Sequence, residues 1–281
     1  MEQQSIQIRE QQKASWNKFS SGWKKWDELN MDFLKPVGEE MIRLLDLKGK
    51  NLVLDIASGT GEPGLTIATL IPDGKVIITD LSAGMLEIAE ENARRRGIHN
   101  VETKACDVCE LPFADNSFDA VSCRFGFMFF PDMLLAAKEI FRVLKPGGRI
   151  VATVWNGSEK NFWVSAIMDV IKKELNLPVP PPGSPGIFRC ANDGLMTDLF
   201  LQAGFTKVFS KEIPGQLKCE SADVYWNMMT ELAAPVVSAL SNADDEMKEK
   251  IYGEVYSKLS KEFPGGSLVL DSSARLIYGV K

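Results

Sequence analysis

Gly59-Thr60-Gly61-Glu62-Pro63-Gly64 has the form G-x-G-x-x-G, follows a short apolar run and opens a helical stretch. Glycines in such a loop let a ligand approach the backbone closely. Asp80 closes the next apolar run, 21 residues after Gly59, where a carboxylate can accept hydrogen bonds from a ribose diol. Read literally, the pair is a dinucleotide fingerprint, and NAD is one ligand that fits it. Any ligand with a ribose at that point fits equally. Asp55 lies inside the first apolar run, four residues before Gly59, and would sit badly beneath a pyrophosphate. Cys106 and Cys109 form a C-x-x-C, but a zinc site needs four ligands and there is no second such pair. No thioredoxin-like context surrounds them either, so neither a metal nor a redox role is expected. His99 is the only histidine. It falls between a helix and the start of a strand, at the edge of the sheet opposite a ligand crevice, so no histidine base is expected at the site.

These residues need strands that end beside one another. The pattern supplies strands at 52–57, 76–79, 101–105, 118–123 and 149–155, separated by helices at 62–70, 84–96 and 132–144. Strands alternating with helices predict a parallel sheet covered on both faces, an α/β Rossmann-like fold. Gly97 stands as a helix C-cap, and Asp132 as an N-cap. Before the sheet, Trp16, Phe19, Trp23 and Trp26 recur at helical spacing, and Pro36 is read as opening a second helix over 37–45. Beyond Trp155 come a helix at 161–175, an extended connector with five prolines between 177 and 186, a helix at 194–203 and a strand at 206–213. A mostly helical stretch at 221–263 and a last strand at 274–280 complete the pattern.

Further matches appear in order. Asp55-x-x-x-Gly59-x-Gly61 resembles the first motif of class I S-adenosylmethionine-dependent methyltransferases, and Thr79-Asp80-Leu81-Ser82 the second. Cys106-Asp107-Val108 with Leu111-Pro112-Phe113 is similar to the adenine-binding stretch, and Arg142-Val143-Leu144-Lys145-Pro146-Gly147-Gly148 to the segment leading into the fifth strand. The nearest resemblance is to the ubiquinone and menaquinone biosynthesis type. It implies a seven-stranded, mostly parallel sheet with the final strand antiparallel. It also implies an N-terminal helical lid (1–48), a methyltransferase domain (49–281) and a helical insertion at about 215–265 roofing the pocket.

The cofactor so implied is S-adenosylmethionine, with Asp55 near the methionine amine and Gly59, Thr60 and Gly61 around it. Asp80 then takes the ribose, Leu81 packs on the adenine, Asp107 receives the adenine amino group and Val108 offers its backbone. The first carbonyls of the loop after the fourth strand, Cys123 and Arg124, face the methionine amine. Phe127 and Met128 of that loop are candidate substrate contacts, with Phe19, Trp23 and Trp26 of the lid and Tyr225 of the insertion. The implied reaction is methyl transfer to a small, largely apolar acceptor at oxygen or carbon. A nicotinamide-dependent oxidoreductase and a catalytically silent binder of S-adenosylmethionine are the alternatives.

Composition narrows the partners. The 281-residue chain carries Lys plus Arg 32 against Asp plus Glu 38, a net charge of −6. That balance disfavours binding nucleic-acid phosphates. No apolar run approaches the roughly 18 residues a spanning helix needs. Five scattered cysteines and a glutamine-rich start read as a reduced, cytoplasmic protein.

Overall fold

The computed structural model describes residues 2–181, 183–241 and 243–281. Met1 of the expected lid, Pro182 of the connector and Asn242 of the expected helical stretch lie outside the described residues.

Two helices come first, α1 (Glu2–Lys25) and α2 (Asp27–Leu45), broken at Trp26. Pro36 lies inside α2 and does not open it. The correction has a packing cause. Phe33 and Leu34 before the proline, and Val37, Met41 and Leu45 after it, are all buried. That continuous apolar stripe outweighs the one hydrogen bond the proline removes.

Five short strands follow: β1 (Leu52–Ile56), β2 (Lys75–Asp80), β3 (Val101–Ala105), β4 (Phe118–Arg124) and β5 (Leu144–Trp155). Between them run α3 (Gly64–Leu70), α4 (Ala83–Arg95) and α5 (Met133–Val143). Ser82 caps α4 by accepting from Met85 N, and Asp132 caps α5 by accepting from Leu135 N. Gly97 terminates α4 at φ 65°, donating to Arg94 O. Then come α6 (Phe162–Glu174), α7 (Leu195–Ala203) and β6 (Thr206–Cys219). The last elements are α8 (Ala222–Leu232), α9 (Ala234–Leu240), α10 (Asp245–Glu262) and β7 (Leu268–Val280).

All seven strands join one sheet in the order β3-β2-β1-β4-β5-β7-β6. The first five are parallel, and β7 runs antiparallel to both β5 and β6. Val53–Ile56 and Val76–Thr79 are buried at every position, the mark of a sheet covered on both faces. The fold class is the expected one. The late strands are longer than expected. β6 continues past Ile213 to Cys219, and β7 begins at Leu268 instead of Ala274, because the two ladder together from Thr206↔Val280 to Cys219↔Leu268. β6 is an edge strand, where Pro214 is tolerated. β5 likewise starts at Leu144. The segment expected as a helical insertion at 215–265 is therefore strand up to Cys219 and helical from Ala222.

Candidate active site

The strand order turns back between β1 and β4, and in an open parallel sheet the crevice forms beyond the strand ends at that point. Here a cavity opens there, and with its mouth it encloses about 1390 Å³. Its floor is built from Ile56–Gly59 after β1, Thr79–Leu81 at the end of β2, Arg124–Gly126 after β4 and Trp155 at the end of β5.

The glycine loop is held from below and from the side. Gly61 sits at φ 109°, and a Cβ there would lie 2.8 Å from Leu65 Cδ1. Only glycine meets both demands. Gly64 approaches Asp55 so closely that its Cβ would lie 2.8 Å from the carboxylate. Gly64 N donates to Asp55 Oδ2 at 2.9 Å, and Ser122 Oγ donates to Oδ1 at 2.5 Å. Asp55 is fully buried and does not line the cavity. Burial pushes its carboxyl up to about 6, against the pull of its Ser122, Ser58 and Gly64 partners. It braces the glycine loop from behind the cavity lining. Thr60 also turns away, donating to Asp27 Oδ1 of α2 at 3.1 Å.

Asp80 does reach the cavity. Its carboxylate accepts from Gly59 N at 3.0 Å and Ser82 N at 2.8 Å, fixing the loop and the start of α4 relative to β2. Burial raises its pKa, and these N–H groups oppose the rise. Leu81, Asp107 and Val108 line the same wall. Asp107 Oδ1 accepts from Cys109 N at 2.8 Å, and Oδ2 lies 3.5 Å from the Arg9 guanidinium.

The opposite wall comes from the N-terminal helices. Arg9, Trp16, Trp23 and Asn30 recur every seven residues and all line the cavity. The aromatic stripe thus splits. Trp16 and Trp23 face the space, while Phe19 and Trp26 turn to their neighbours. Phe19 packs edge-on against Trp16, and Trp26 Nε1 donates to Glu231 at 2.9 Å. Phe33, Phe125 and Trp155 form a stack, with Trp155 to Phe125 at 4.2 Å and to Phe33 at 5.8 Å. Trp163 of α6 leans on Trp155, and Leu232–Pro235 of α8 and α9 close the remaining side.

Of the residues expected from sequence, Gly59, Asp80, Leu81, Asp107, Val108, Arg124, Trp23 and Met128 line this one cavity. Gly61, Thr60, Asp55 and Cys123 support it from behind. Phe127 is fully buried against Phe130 and Phe200, so it is core. Tyr225 is also core, its hydroxyl donating to Trp163 O at 2.8 Å. Tyr252 of α10 donates to Asp223 at 2.5 Å and does not line the cavity. Arg9, Asn30, Phe33, Trp155 and Trp163 went unnoticed in the sequence. The seven-residue spacing of Arg9 and Asn30 with Trp16 and Trp23 was the available signal.

His99 is exposed just before β3, at the end of the sheet away from the cavity. His99→Ala should therefore leave stability and ligand binding within about 0.5 kcal/mol of wild type, as for ordinary surface changes. A larger loss of ligand affinity by calorimetry would show a link from that edge to the site. Among the described residues no cluster of metal-ligating side chains occurs. Burial pushes the thiol of Cys106 to about 11 and that of Cys109 to about 12, so both stay protonated at neutral pH. Among the described residues no helix is long and apolar enough to cross a membrane.

Residues 53–148 match the methyltransferase-domain family. Among curated proteins, the demethylmenaquinone methyltransferase of Geobacillus stearothermophilus is 37% identical over 111 residues, 39% of this chain and 47% of the relative. That of Lactococcus lactis subsp. lactis is 43% identical over 112 residues, 40% of this chain and 44% of the relative. The chain spans about half the length of the curated relatives it matches. Among solved structures, the YcgJ protein of Bacillus subtilis superposes with a TM-score of 0.55 at 21% identity, covering 87% of this chain and 97% of that one. This likeness shows the fold.

Proposed function

We propose that the chain, whose residues 53–148 match the methyltransferase-domain family, transfers the methyl group of S-adenosylmethionine to a small, largely apolar acceptor, at oxygen or carbon. One observation carries the reading. The glycine loop, Asp80 and Asp107–Val108 come from three separate stretches of sequence, yet they line one cavity whose other wall is aromatic. Bound S-adenosylmethionine would supply an electrophilic methyl group. Asp80 accepts the ribose diol, Leu81 packs on the adenine, Asp107 receives the adenine amino group and Val108 offers its backbone N–H. Gly59 and the Arg124 backbone flank the methionine end. Asp55, Thr60, Gly61 and Cys123 fix the loop behind them. The aromatic wall excludes water and holds the acceptor in line with the methyl group, the main contribution this site makes. No histidine, cysteine or tyrosine in the cavity is poised as a base. The acceptor therefore gives up its proton to a carboxylate of the lining such as Glu62, gives it to water, or is already ionised.

The test is calorimetry with S-adenosylhomocysteine and with NAD. Binding of the first and not the second is expected, and the reverse overturns the reading. The domain match favours neither the oxidoreductase nor the silent binder. Release of S-adenosylhomocysteine during turnover of an acceptor would separate an enzyme from a silent binder. The acidic balance supports small-molecule partners over nucleic acid. The scattered cysteines support a reducing, cytoplasmic setting.

α1 is the proposed lid. It contributes Arg9, Gln12, Trp16 and Trp23 to the cavity and rests on α4 and α8. Deleting residues 2–25 should leave the sheet folded by circular dichroism and speed dissociation of S-adenosylhomocysteine by about tenfold, the scale of one lost charge-assisted contact. An unchanged dissociation rate would make α1 a packing helix only.

A further inference from the structure

Three of the four tryptophan indoles contributed by α1, the α1–α2 junction and α6 have their N–H satisfied within the protein. Trp16 donates to Gln12, Trp26 to Glu231 and Trp163 to Asn161. Trp23 Nε1 is buried with no partner. The same contrast runs through the buried asparagines. Asn92, Asn156 and Asn161 each donate to backbone or side-chain oxygens, while Asn30 Nδ2, 3% exposed, has none. These two of the three buried unpartnered side-chain donors among the described residues belong to residues that line the cavity, seven positions apart on the wall made by α1 and α2; the third, Arg189 Nε, lies outside its lining. Buried donors without partners are rare, and their natural explanation is a ligand that completes them.

We propose that Trp23 and Asn30 are the specificity-determining pair for the methyl-accepting molecule. They donate to an oxygen that only accepts: a carbonyl, carboxylate or ionised hydroxyl on a flat, conjugated compound. The inference rests on the methyltransferase reading for the ligand's role as substrate. The aromatic wall supplies the preference for a conjugated ring. Arg124 supplies the preference for negative charge. Arg124 lines the cavity and makes no ion pair among the described residues, its polar contact being Met31 Sδ at 3.6 Å, while the charges of Glu62, Asp55 and Asp27 act on it from further off. A protonated amine brings only donors and leaves Trp23 and Asn30 unpaired, so the site rejects it.

Two probes with the same ring and opposite demands test this: 2-naphthoate and 2-naphthylmethylammonium, titrated into the S-adenosylhomocysteine complex. Wild type should bind the carboxylate at least about tenfold more tightly. Trp23→Phe and Asn30→Leu should each weaken 2-naphthoate binding by about fivefold or more and leave S-adenosylhomocysteine affinity within about twofold. Asn30→Leu should also keep or raise Tm, because it removes a buried donor unpartnered in the free protein. A structural role for Asn30 would lower Tm instead. Equal binding of the two probes, no binding of 2-naphthoate, or variants that bind it like wild type would overturn the proposal. So would variants that lose S-adenosylhomocysteine as strongly as the probe, because the pair would then serve the cofactor. If S-adenosylhomocysteine fails to bind wild type, the methyltransferase reading falls. The two probes titrated into the free protein then judge the donor pair by the same outcomes.

Discussion

Asp55→Asn should stabilise the protein at pH 8 and lose that advantage by pH 4. The folded carboxyl titrates at about 6, raised from 3.8 by burial. Between those values the folded state holds a proton that the unfolded chain has released. The contribution of Asp55 to wild-type stability is therefore greatest below about pH 4 and is lost as pH rises through 6. A rise of about two units corresponds to about 3 kcal/mol at pH 8. Asparagine is neutral throughout and keeps an oxygen for Gly64 N and an amide N–H for Ser122 Oγ. Thermal melts of both proteins from pH 4 to 8 should show a gap that opens with pH. A gap that stays constant would mean that the carboxyl is not held up by burial. Because Asp55 stays clear of the cavity, S-adenosylhomocysteine affinity at pH 7 should change little. A large loss would return Asp55 to direct contact with the methionine amine.

Asp80→Ala should weaken S-adenosylhomocysteine binding by about 1–3 kcal/mol, the scale of hydrogen bonds to a charged group. Two effects add. The ribose loses its acceptor, and Gly59 N and Ser82 N lose theirs, so the glycine loop slackens. Asp80→Asn separates them, since its one oxygen still holds one N–H group while its amide offers the ribose a donor in place of an acceptor. Calorimetry should place it between wild type and Asp80→Ala. Unchanged affinity in a folded Asp80→Ala protein would remove Asp80 from the ribose site.

The half of the site that faces the proposed cofactor was legible because its signals are local. A strand end, a glycine turn and an acid at fixed spacing lie within about thirty residues, and strand pairing sets their geometry. Val76-Ile77-Ile78-Thr79 announces its strand by branched side chains alone. The roof was not legible in the same way. Trp155 looked like the end of a strand and Trp163 like the start of a helix, and only the fold brings them to Phe33. Tyr225 is expected at the site because it belongs to the insertion that should roof the pocket. Its hydroxyl is satisfied inside the core by Trp163 O. Pro36 misled because a local rule was outweighed by tertiary packing.

The place of β7 in the sheet sets a timetable for synthesis. β6 has β7 as its neighbour and no other, and β7 begins at Leu268, long after β6 ends at Cys219. At about 5–20 residues per second on the ribosome, β6 waits roughly 2–10 s for its partner. During that interval β5 also presents an open edge, and both strands are exposed to pairing with other nascent chains. β6 is guarded for the wait. Lys207, Lys211, Glu212 and Lys218 stud it, and most of its side chains remain exposed even in the finished protein. Charges on a strand that must stand alone keep it soluble until the last strand arrives to lock it into the sheet.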